Sequence, residues 1–150
     1  MELIVADYHS LIGQELVSGW NELSQTTVNQ FADVIDDHQF IHIDPARAAS
    51  ETPFGGTIAH GFLTLSWLTK LGNEVMPALE ANEVMINYGF DKVRFVNPVR
   101  TGSKIRGHFT LSKVENKSGG ELLTYQTTVE IEGQEKPALI AEWLLLIVAK

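Results

Sequence analysis

The side chains best suited to acid–base chemistry concentrate in one stretch, residues 36–61, with the sequence DDHQFIHIDPARAASETPFGGTIAHG. Three of the chain's five histidines lie there, beside several aspartates and two glycine signals, Gly55-Gly56 and Gly61. Catalytic groups usually lie on loops that a rigid scaffold positions, so this stretch is the candidate functional site. Its titratable members are Asp36, Asp37, His38, His42, Asp44 and His60.

Asp37 and His42 are five residues apart, which is too far for one helical face and suits a turn that folds back on itself. A carboxylate and an imidazole that meet at one water molecule can orient it and exchange protons with it, because imidazole changes charge near neutral pH. General acid–base catalysis of this kind contributes about 10²–10⁴-fold to a rate. The same spacing also occurs in solvated loops, so the pair alone leaves both interpretations open.

His60 and Gly61 stand at the start of a strongly apolar segment. The first N–H groups of a helix have no partner within it, and together with the helix dipole they favour an oxyanion. Glycine also lets a ligand carbonyl approach the backbone closely. Packing alone is the other interpretation, with Gly61 bringing the helix near the sheet and His60 capping it.

A metal site is a rival interpretation of the same stretch. His38 and His42 have the i, i+4 spacing, and Asp36, Asp37 and Asp44 lie nearby. Two histidines and a carboxylate form a common metal-ligand set. That spacing brings two ligands together only on a helix, however, and this stretch shows no helical apolar period. We therefore expect no metal here.

Basic residues cluster later in the chain, where residues 92–106 hold five of the 11 cations and no acid. Arginine binds phosphate groups with a two-pronged fork, so Arg94 and Arg100 are candidates for binding a substrate. Solvated strand faces would give the same composition. The full set is Lys92, Arg94, Arg100, Lys104 and Arg106.

Helices are predicted on both sides of this stretch and within it. The first spans about 25–35, where Ser24 is a candidate cap and apolar residues recur at i, i+3, i+4 and i+7. A second, short helix is predicted to start at Asp44-Pro45, a cap residue followed by a proline at the first helical position.

The third helix is predicted to run from His60-Gly61 to about Leu71. It is apolar over most of its circumference, which is typical of a buried helix. Gly72 is a natural signal for its end.

Four strands are predicted after the helices, at 84–96, 103–116, 121–132 and 137–149. The last of them, ALIAEWLLLIVA, could also be a buried helix, but the tight turn before it favours a strand. An antiparallel sheet wrapped around the apolar helix would cover it, so the predicted class is α+β. A second copy could extend the edge of such a sheet, which favours a homodimer. The turn signals are Asn97-Pro98, Lys117-Ser118-Gly119-Gly120 and Glu132-Gly133-Gln134.

Composition limits the alternatives. The 150 residues are 44% apolar and 20% charged, which is typical of one globular domain spanning 1–150. The absence of Cys excludes disulfides and thiolate chemistry, and the net charge of −8 argues against nucleic-acid or anionic-membrane partners. The sequence contains no run of 18 apolar residues, so no membrane span is predicted. The N-terminus has an early acid and no basic lead, so we expect a cytoplasmic protein.

Two segments resemble a known family. FADVIDDHQFIHIDPARAASETPFGGTIAHGFL resembles the hydratase motif of the MaoC-like dehydratases and (R)-specific enoyl-CoA hydratases, and more narrowly the branch named after the nodulation protein NodN. YGFDKVRFVNPVRTGSKIRG resembles the strand, proline and glycine pattern that follows the family's central helix. The resemblance implies a hot-dog fold, an antiparallel sheet wrapped around a long helix. It also implies an acyl thioester substrate carried on coenzyme A or acyl carrier protein.

The same resemblance implies roles for individual residues. The family's catalytic aspartate and histidine fall on Asp37 and His42, and the glycine whose N–H contacts the thioester carbonyl falls on Gly61. Compared with the family's commoner pattern G-D-x-N-P-x-H, this chain has Asp36 for glycine, Gln39 for asparagine and Phe40 for proline. The expected substrate-binding residues are Gln39, His60, Arg94 and Arg100.

The activity that the resemblance implies is (R)-specific hydration of trans-2-enoyl thioesters to (3R)-3-hydroxyacyl thioesters, or the reverse dehydration. It requires no metal or redox cofactor. Three alternatives stay open at this point. They are a hot-dog thioesterase, a non-catalytic acyl-thioester binding protein and a metal-dependent enzyme.

Overall fold

The computed structural model describes residues 7–117 and 119–150. Ser118, which belongs to one predicted turn, and residues 1–6, on which the cytoplasmic prediction partly rests, lie outside the described residues. No helix in the described ranges is long and apolar enough to cross a membrane.

One antiparallel sheet dominates the described structure, with the strand order β1-β4-β5-β6-β3 and with β2 also paired to β4. The four long strands confirm the predicted ones to within two residues at each end. Strands β1 and β2 were not predicted, because three and two residues are too few to show an alternating pattern. The strands are β1 Glu15–Val17, β2 Asn21–Glu22, β3 Glu83–Phe95, β4 Lys104–Lys117, β5 Gly120–Ile131 and β6 Leu139–Ala149.

The described helices are a short 3-10 helix, Tyr8–Leu11, and four α-helices, α1 Gln25–Ile35, α2 Phe40–Ile43, α3 Pro45–Glu51 and α4 Gly61–Asn73. The predicted caps are confirmed: Ser24 Oγ accepts from the N–H of Thr27, and Asp44 Oδ1 accepts from the N–H of Arg47. The expectation of no helix between residues 36 and 44 is wrong. Helix α2 is a single turn there, and one turn is too short to show an apolar period.

The inner face of the sheet packs against α4. Gly107 in β4 allows this close approach, since a Cβ at that position would lie 3.2 Å from Cβ of Leu71 and 2.6 Å from Cε2 of Phe109. The core that results joins one face of α4 to the sheet, which confirms the predicted α+β hot-dog class. Its largest buried side chains include Leu68, Leu71, Phe109, Leu111, Leu123, Tyr125 and Leu139.

Two predictions about α4 are only partly right. The helix ends at Asn73, two residues beyond the predicted end near Leu71, so Gly72 is its buried penultimate residue. A Cβ on Gly72 would stand 3.2 Å from Sδ of Met76, a close contact that favours a small side chain. The helix is also not buried all round, since Phe62 is 65% exposed. One sheet covers only the face turned toward it.

Candidate active site

Asp37 reaches the site because α1 ends in a left-handed turn. Asp36 follows the helix with φ 54° and ψ 42°, and the N–H of Asp37 donates to the carbonyl of Ala32. The family's commoner pattern has glycine at the position of Asp36, as suits this conformation, and aspartate is one of the few other residues that adopt it. The departure from the pattern at Asp36 therefore preserves the turn.

His42 lies on α2 and is buried, with 7% of its surface exposed. Its Nδ1 atom is 2.7 Å from the carbonyl oxygen of Ile58. A carbonyl can only accept, so Nδ1 carries the hydrogen. In the neutral ring, Nε2 then offers a lone pair on the side that faces Asp37.

His60 stacks on His42, with 3.8 Å between ring centroids and 24° between planes, and Phe31 meets it edge-on at 5.3 Å. The Nε2–H of His60 donates to the main-chain carbonyl of Asp37 at 3.0 Å. His60 is 3% exposed and its Nδ1 atom is buried without a hydrogen-bond partner among the described residues. The ring therefore helps to hold both members of the predicted catalytic pair.

A gap separates the carboxylate from the two rings. Oδ2 of Asp37 is 3.9 Å from Nε2 of His42 and 3.9 Å from Nε2 of His60. That distance is too long for a direct hydrogen bond and short enough for one water molecule to bridge. Asp37 remains partly exposed, with 43% of its side chain accessible.

The electrostatic surroundings favour a neutral His42. Burial is the main cause, and it lowers the pKa of the ring below its usual value. The hydrogen bond to the Ile58 carbonyl opposes that effect, the neighbouring His60 lowers the pKa further, and Asp37 raises it. The net direction is downward, so the lone pair on Nε2 is available near neutral pH.

Gly61 starts α4 beside a cavity of about 380 Å³. The first bonds of the helix run from Leu63 and Thr64 to the carbonyl of His60, so the N–H of Gly61 has no helical partner. A Cβ on Gly61 would stand 3.1 Å from the ring of Phe95. The side chains of Asp37 and His42 are not among the described residues that line this cavity. It is lined in part by Phe54, Ile58, Gly61, Phe95 and Pro98.

The remaining predicted substrate-binding residues are more dispersed. Gln39 contacts Asp37 through its main chain, whose N–H donates to Oδ1 at 3.2 Å. Arg100 donates to the carbonyl of Phe54 at 2.9 Å and packs against the Gly55-Gly56 turn beside the cavity. Arg94 is exposed and donates to the carbonyl of Val93. In the described chain, no contact joins Arg94 to the Asp37–His42 pair.

The rival metal-ligand set, which the sequence analysis did not favour, does not come together. His38 turns away from His42 and contacts Asp33 at 2.7 Å and Asp36 at 3.5 Å, while Asp44 caps α3. His38 and His42 are not presented on one face because α2 begins only at Phe40.

A different set does converge on one point. Ligand atoms of Asp37, His42 and His60 lie within 4.8 Å of one another. However, the Nε2 atom of His60 carries a hydrogen that it donates to a carbonyl. This arrangement suits a hydrogen-bonded site better than a metal centre.

A known family matches most of the chain. The family described as "MaoC like domain" matches residues 7–134. The chain belongs to this family, which confirms the family predicted from the two sequence segments.

The chain is also similar to individual proteins. It is 52% identical to "Nodulation protein N" of Rhizobium leguminosarum bv. viciae, over 97% of this chain and 92% of that protein. It is 46% identical to "3-hydroxyacyl-thioester dehydratase Z" of Mycobacterium tuberculosis, over 97% of this chain and 96% of the relative. Among solved structures, the (R)-hydratase from A. caviae superimposes with a TM-score of 0.74 at 24% identity, covering 89% of this chain and 94% of that one.

Sequence reasoning missed two polar side chains beside the pair. Gln25 and Thr57 form hydrogen bonds that end on the main chain of His42. They lie 17 and 15 residues from His42 along the chain, so no local spacing points to them.

Proposed function

We propose that this protein adds water to trans-2-enoyl thioesters to form (3R)-3-hydroxyacyl thioesters, and removes it in reverse. The observation that carries the proposal is the 3.9 Å gap between Oδ2 of Asp37 and Nε2 of a neutral, buried His42. The name 3-hydroxyacyl-thioester dehydratase, given to a relative 46% identical to this chain, supports the substrate class.

The two groups on either side of the gap can both accept hydrogen bonds from an attacking water molecule. Asp37 presents carboxylate oxygens and His42 presents a lone pair, and two acceptors cannot bond to each other. A water molecule between them donates one hydrogen to each. Its oxygen lone pairs then point away from both groups, toward an incoming substrate.

Gly61 supplies the matching electrophilic contact. The N–H of Gly61, reinforced by the dipole of α4, can donate to the thioester oxygen as negative charge develops there. Polarisation of the carbonyl makes the β-carbon electrophilic. The cavity of about 380 Å³ beside Gly61 gives the thioester a route to this N–H.

The reaction balances within these groups. The water oxygen forms a bond to the β-carbon while His42 and Asp37 take up its proton. The electrons of the carbon–carbon double bond shift to the thioester oxygen, giving an enolate held by the N–H of Gly61. A proton returned to the α-carbon completes the addition of one water, and dehydration follows the same steps in reverse.

No single proton is assigned to either residue of the pair. The proposed steps use no metal and no redox cofactor. Activity that survives exhaustive treatment with a chelator would support this, and activity restored by an added metal would overturn it.

Hydration of crotonyl-CoA and longer enoyl-CoAs, with chiral analysis of the product, tests the proposal. We expect the (3R) product and no release of free thiol, which distinguishes hydration from thioester hydrolysis. Asp37→Asn should lower turnover by about 10²–10⁴-fold. Asp33→Asn is the matched control, because Asp33 contacts His38 at the surface. Normal turnover in Asp37→Asn, or thiol release by the wild type, would contradict the proposal.

A homodimer is the second part of the proposal. Strand β3 ends the strand order, so one of its edges has no neighbouring strand among the described residues. This edge strand exposes large apolar side chains that a second copy would cover. They are Val84, Ile86, Tyr88 and Phe90.

The solution mass tests the dimer. Light scattering should give twice the chain mass of 16.6 kDa, and Ile86→Lys on β3 should shift it toward the monomer. A wild-type monomer would contradict the dimer. A cytoplasmic location also remains part of the proposal, and fractionation of cells tests it.

A further inference from the structure

The side chain of Gln25 binds the main chain of His42. Its Nε2 atom donates to the carbonyl oxygen of His42 at 2.7 Å and to Oδ1 of Asn29 at 2.9 Å. Its Oε1 atom accepts from the hydroxyl of Thr57 at 2.6 Å. Both amide hydrogens and the amide oxygen of Gln25 are therefore engaged.

The directions of these hydrogen bonds are fixed by counting hydrogens. The Thr57 hydroxyl has one hydrogen, and Gln25 Oε1 can only accept it. The hydroxyl of Thr101, 3.0 Å from that of Thr57, must then donate to it. The result is an ordered chain of donors from Thr101 through Thr57 and Gln25 to the carbonyl of His42.

These hydrogen bonds and those of Ile58 hold His42 from two sides. Thr57 binds its main chain through Gln25, while Ile58, the next residue, binds its side chain through the 2.7 Å bond to Nδ1. The N–H of Ile58 also donates to the carbonyl of Ile41. His42 is thus held at both its carbonyl and its ring by two consecutive residues.

The support matters because α2 is only four residues long. A single turn is marginally stable by itself, and Pro45, shortly after it, has no N–H with which to continue the helical bonding. The carbonyl of His42 needs an outside donor, and Gln25 provides it from α1.

We propose that Gln25 is a positioning residue. It holds the main chain of His42 so that Nε2 of His42 keeps its distance of 3.9 Å from Oδ2 of Asp37. The inference rests on the proposed hydration activity for its kinetic consequence. A small displacement of a catalytic group lowers the rate of the chemical step, while the cavity and Gly61, which bind the thioester, are untouched. Loss of Gln25 should therefore act on kcat and leave KM close to its wild-type value.

The kinetic test uses crotonyl-CoA and the full-length protein. Gln25→Met keeps the length of the side chain and removes the amide, and we expect kcat to fall by about 10–100-fold with KM changed less than about threefold. Thr57→Val, which removes one buried hydroxyl, should give a smaller loss, and Thr57→Ser should restore turnover. Gln30→Met makes the same chemical change at an exposed position of α1 and should match the wild type.

A second measurement does not depend on turnover. In ¹⁵N-histidine-labelled protein, the Nδ1–H resonance of His42, assigned by its loss in His42→Ala, reports the bond to Ile58. We expect Gln25→Met to shift or broaden this resonance and Gln30→Met to leave it unchanged. If the wild type does not hydrate enoyl-CoA, the proposed function fails, and the resonance still decides whether Gln25 holds His42.

Two results would overturn the positioning role. One is wild-type kcat in Gln25→Met with an unchanged resonance. The other is a loss of kcat that only follows a loss of folded protein, with Thr57→Ser as impaired as Thr57→Val.

Discussion

His42 and His108 both face carboxylates, but at different distances and in different surroundings. His108 lies between Glu130 and Glu15, with Nε2 2.6 Å from a Glu130 oxygen and Nδ1 3.2 Å from a Glu15 oxygen. Arg106 donates to the same Glu130 oxygen at 2.7 Å. These groups are partly exposed and satisfy one another directly. Both ring nitrogens of His108 therefore contact carboxylate oxygens directly.

The surroundings of His42 differ in distance and in burial. Its Nε2 atom stops 3.9 Å short of Asp37, and its ring is almost completely buried. Burial keeps the ring neutral, and the gap leaves both acceptors available to one water molecule. The same residue types thus form a surface ion-pair cluster in one place and a candidate catalytic pair in the other.

Truncation of the two histidines should have the most unequal effects. His42→Ala should lower enoyl-CoA hydration by about 10²–10⁴-fold, because it removes the acceptor for the proton of water. His108→Ala should leave turnover near the wild-type value, since its partners lie outside the site. Steady-state kinetics on both variants checks this. Comparable losses in the two would erase the functional distinction between the regions.

The pH dependence of turnover should report the buried histidine. The pKa of His42 is lowered mainly by burial. The acidic limb of the pH–activity profile should therefore lie below about pH 6.5, the ordinary pKa of imidazole. Protonation blocks Nε2, so activity is present above the pKa of His42 and falls by about tenfold per pH unit below it. A kcat/KM profile, which reports the free enzyme, would contradict the neutral buried base if activity already fell at or above pH 7.

The surface cluster should affect stability at low pH, and only slightly. The pKa of Glu130 is lowered first by the hydrogen bond from Arg106 and then by that from His108. A carboxyl with a lowered pKa stabilises the folded state above its ordinary value of about 4.3, and this contribution is lost as the pH falls through the folded pKa. Since Glu130 is a third exposed, solvent screening keeps the effect below about 1 kcal/mol.

Glu130→Gln tests this expectation through denaturant unfolding. The variant should differ from the wild type by that small amount at pH 7, and the difference should shrink below pH 4. Turnover should not change. A difference that grows toward low pH would contradict the assignment.

Much of this fold was predictable from the sequence because its long elements carry strong local patterns. The alternation of β5 and the turn signals around it placed the strands, and Ser24 and Asp44 marked two helix starts. The end of α4 was not predictable in the same way. Gly72 has the local chemistry of a stop signal, yet the helix continues one residue further, to Asn73.

The residues of the candidate site also differ in whether the local sequence reveals them. Asp37 and His42 could be recognised from their spacing and from the resemblance of the surrounding segment. Their separation depends on α2, a turn too short to show a pattern, and on the carbonyl of Ile58, which carries no side-chain signal. Gln25 could not be found because its hydrogen bonds cross 17 and 32 residues of sequence.

A double-mutant cycle on enoyl-CoA hydration tests most directly whether Asp37 and His42 act on one shared water. Residues that act as a unit lose their function together. We predict that Asp37→Asn combined with His42→Ala has a kcat/KM within about threefold of the worse single variant. If the two losses multiply instead, reaching about 10⁴-fold or more, the residues act independently and the shared-water account is wrong.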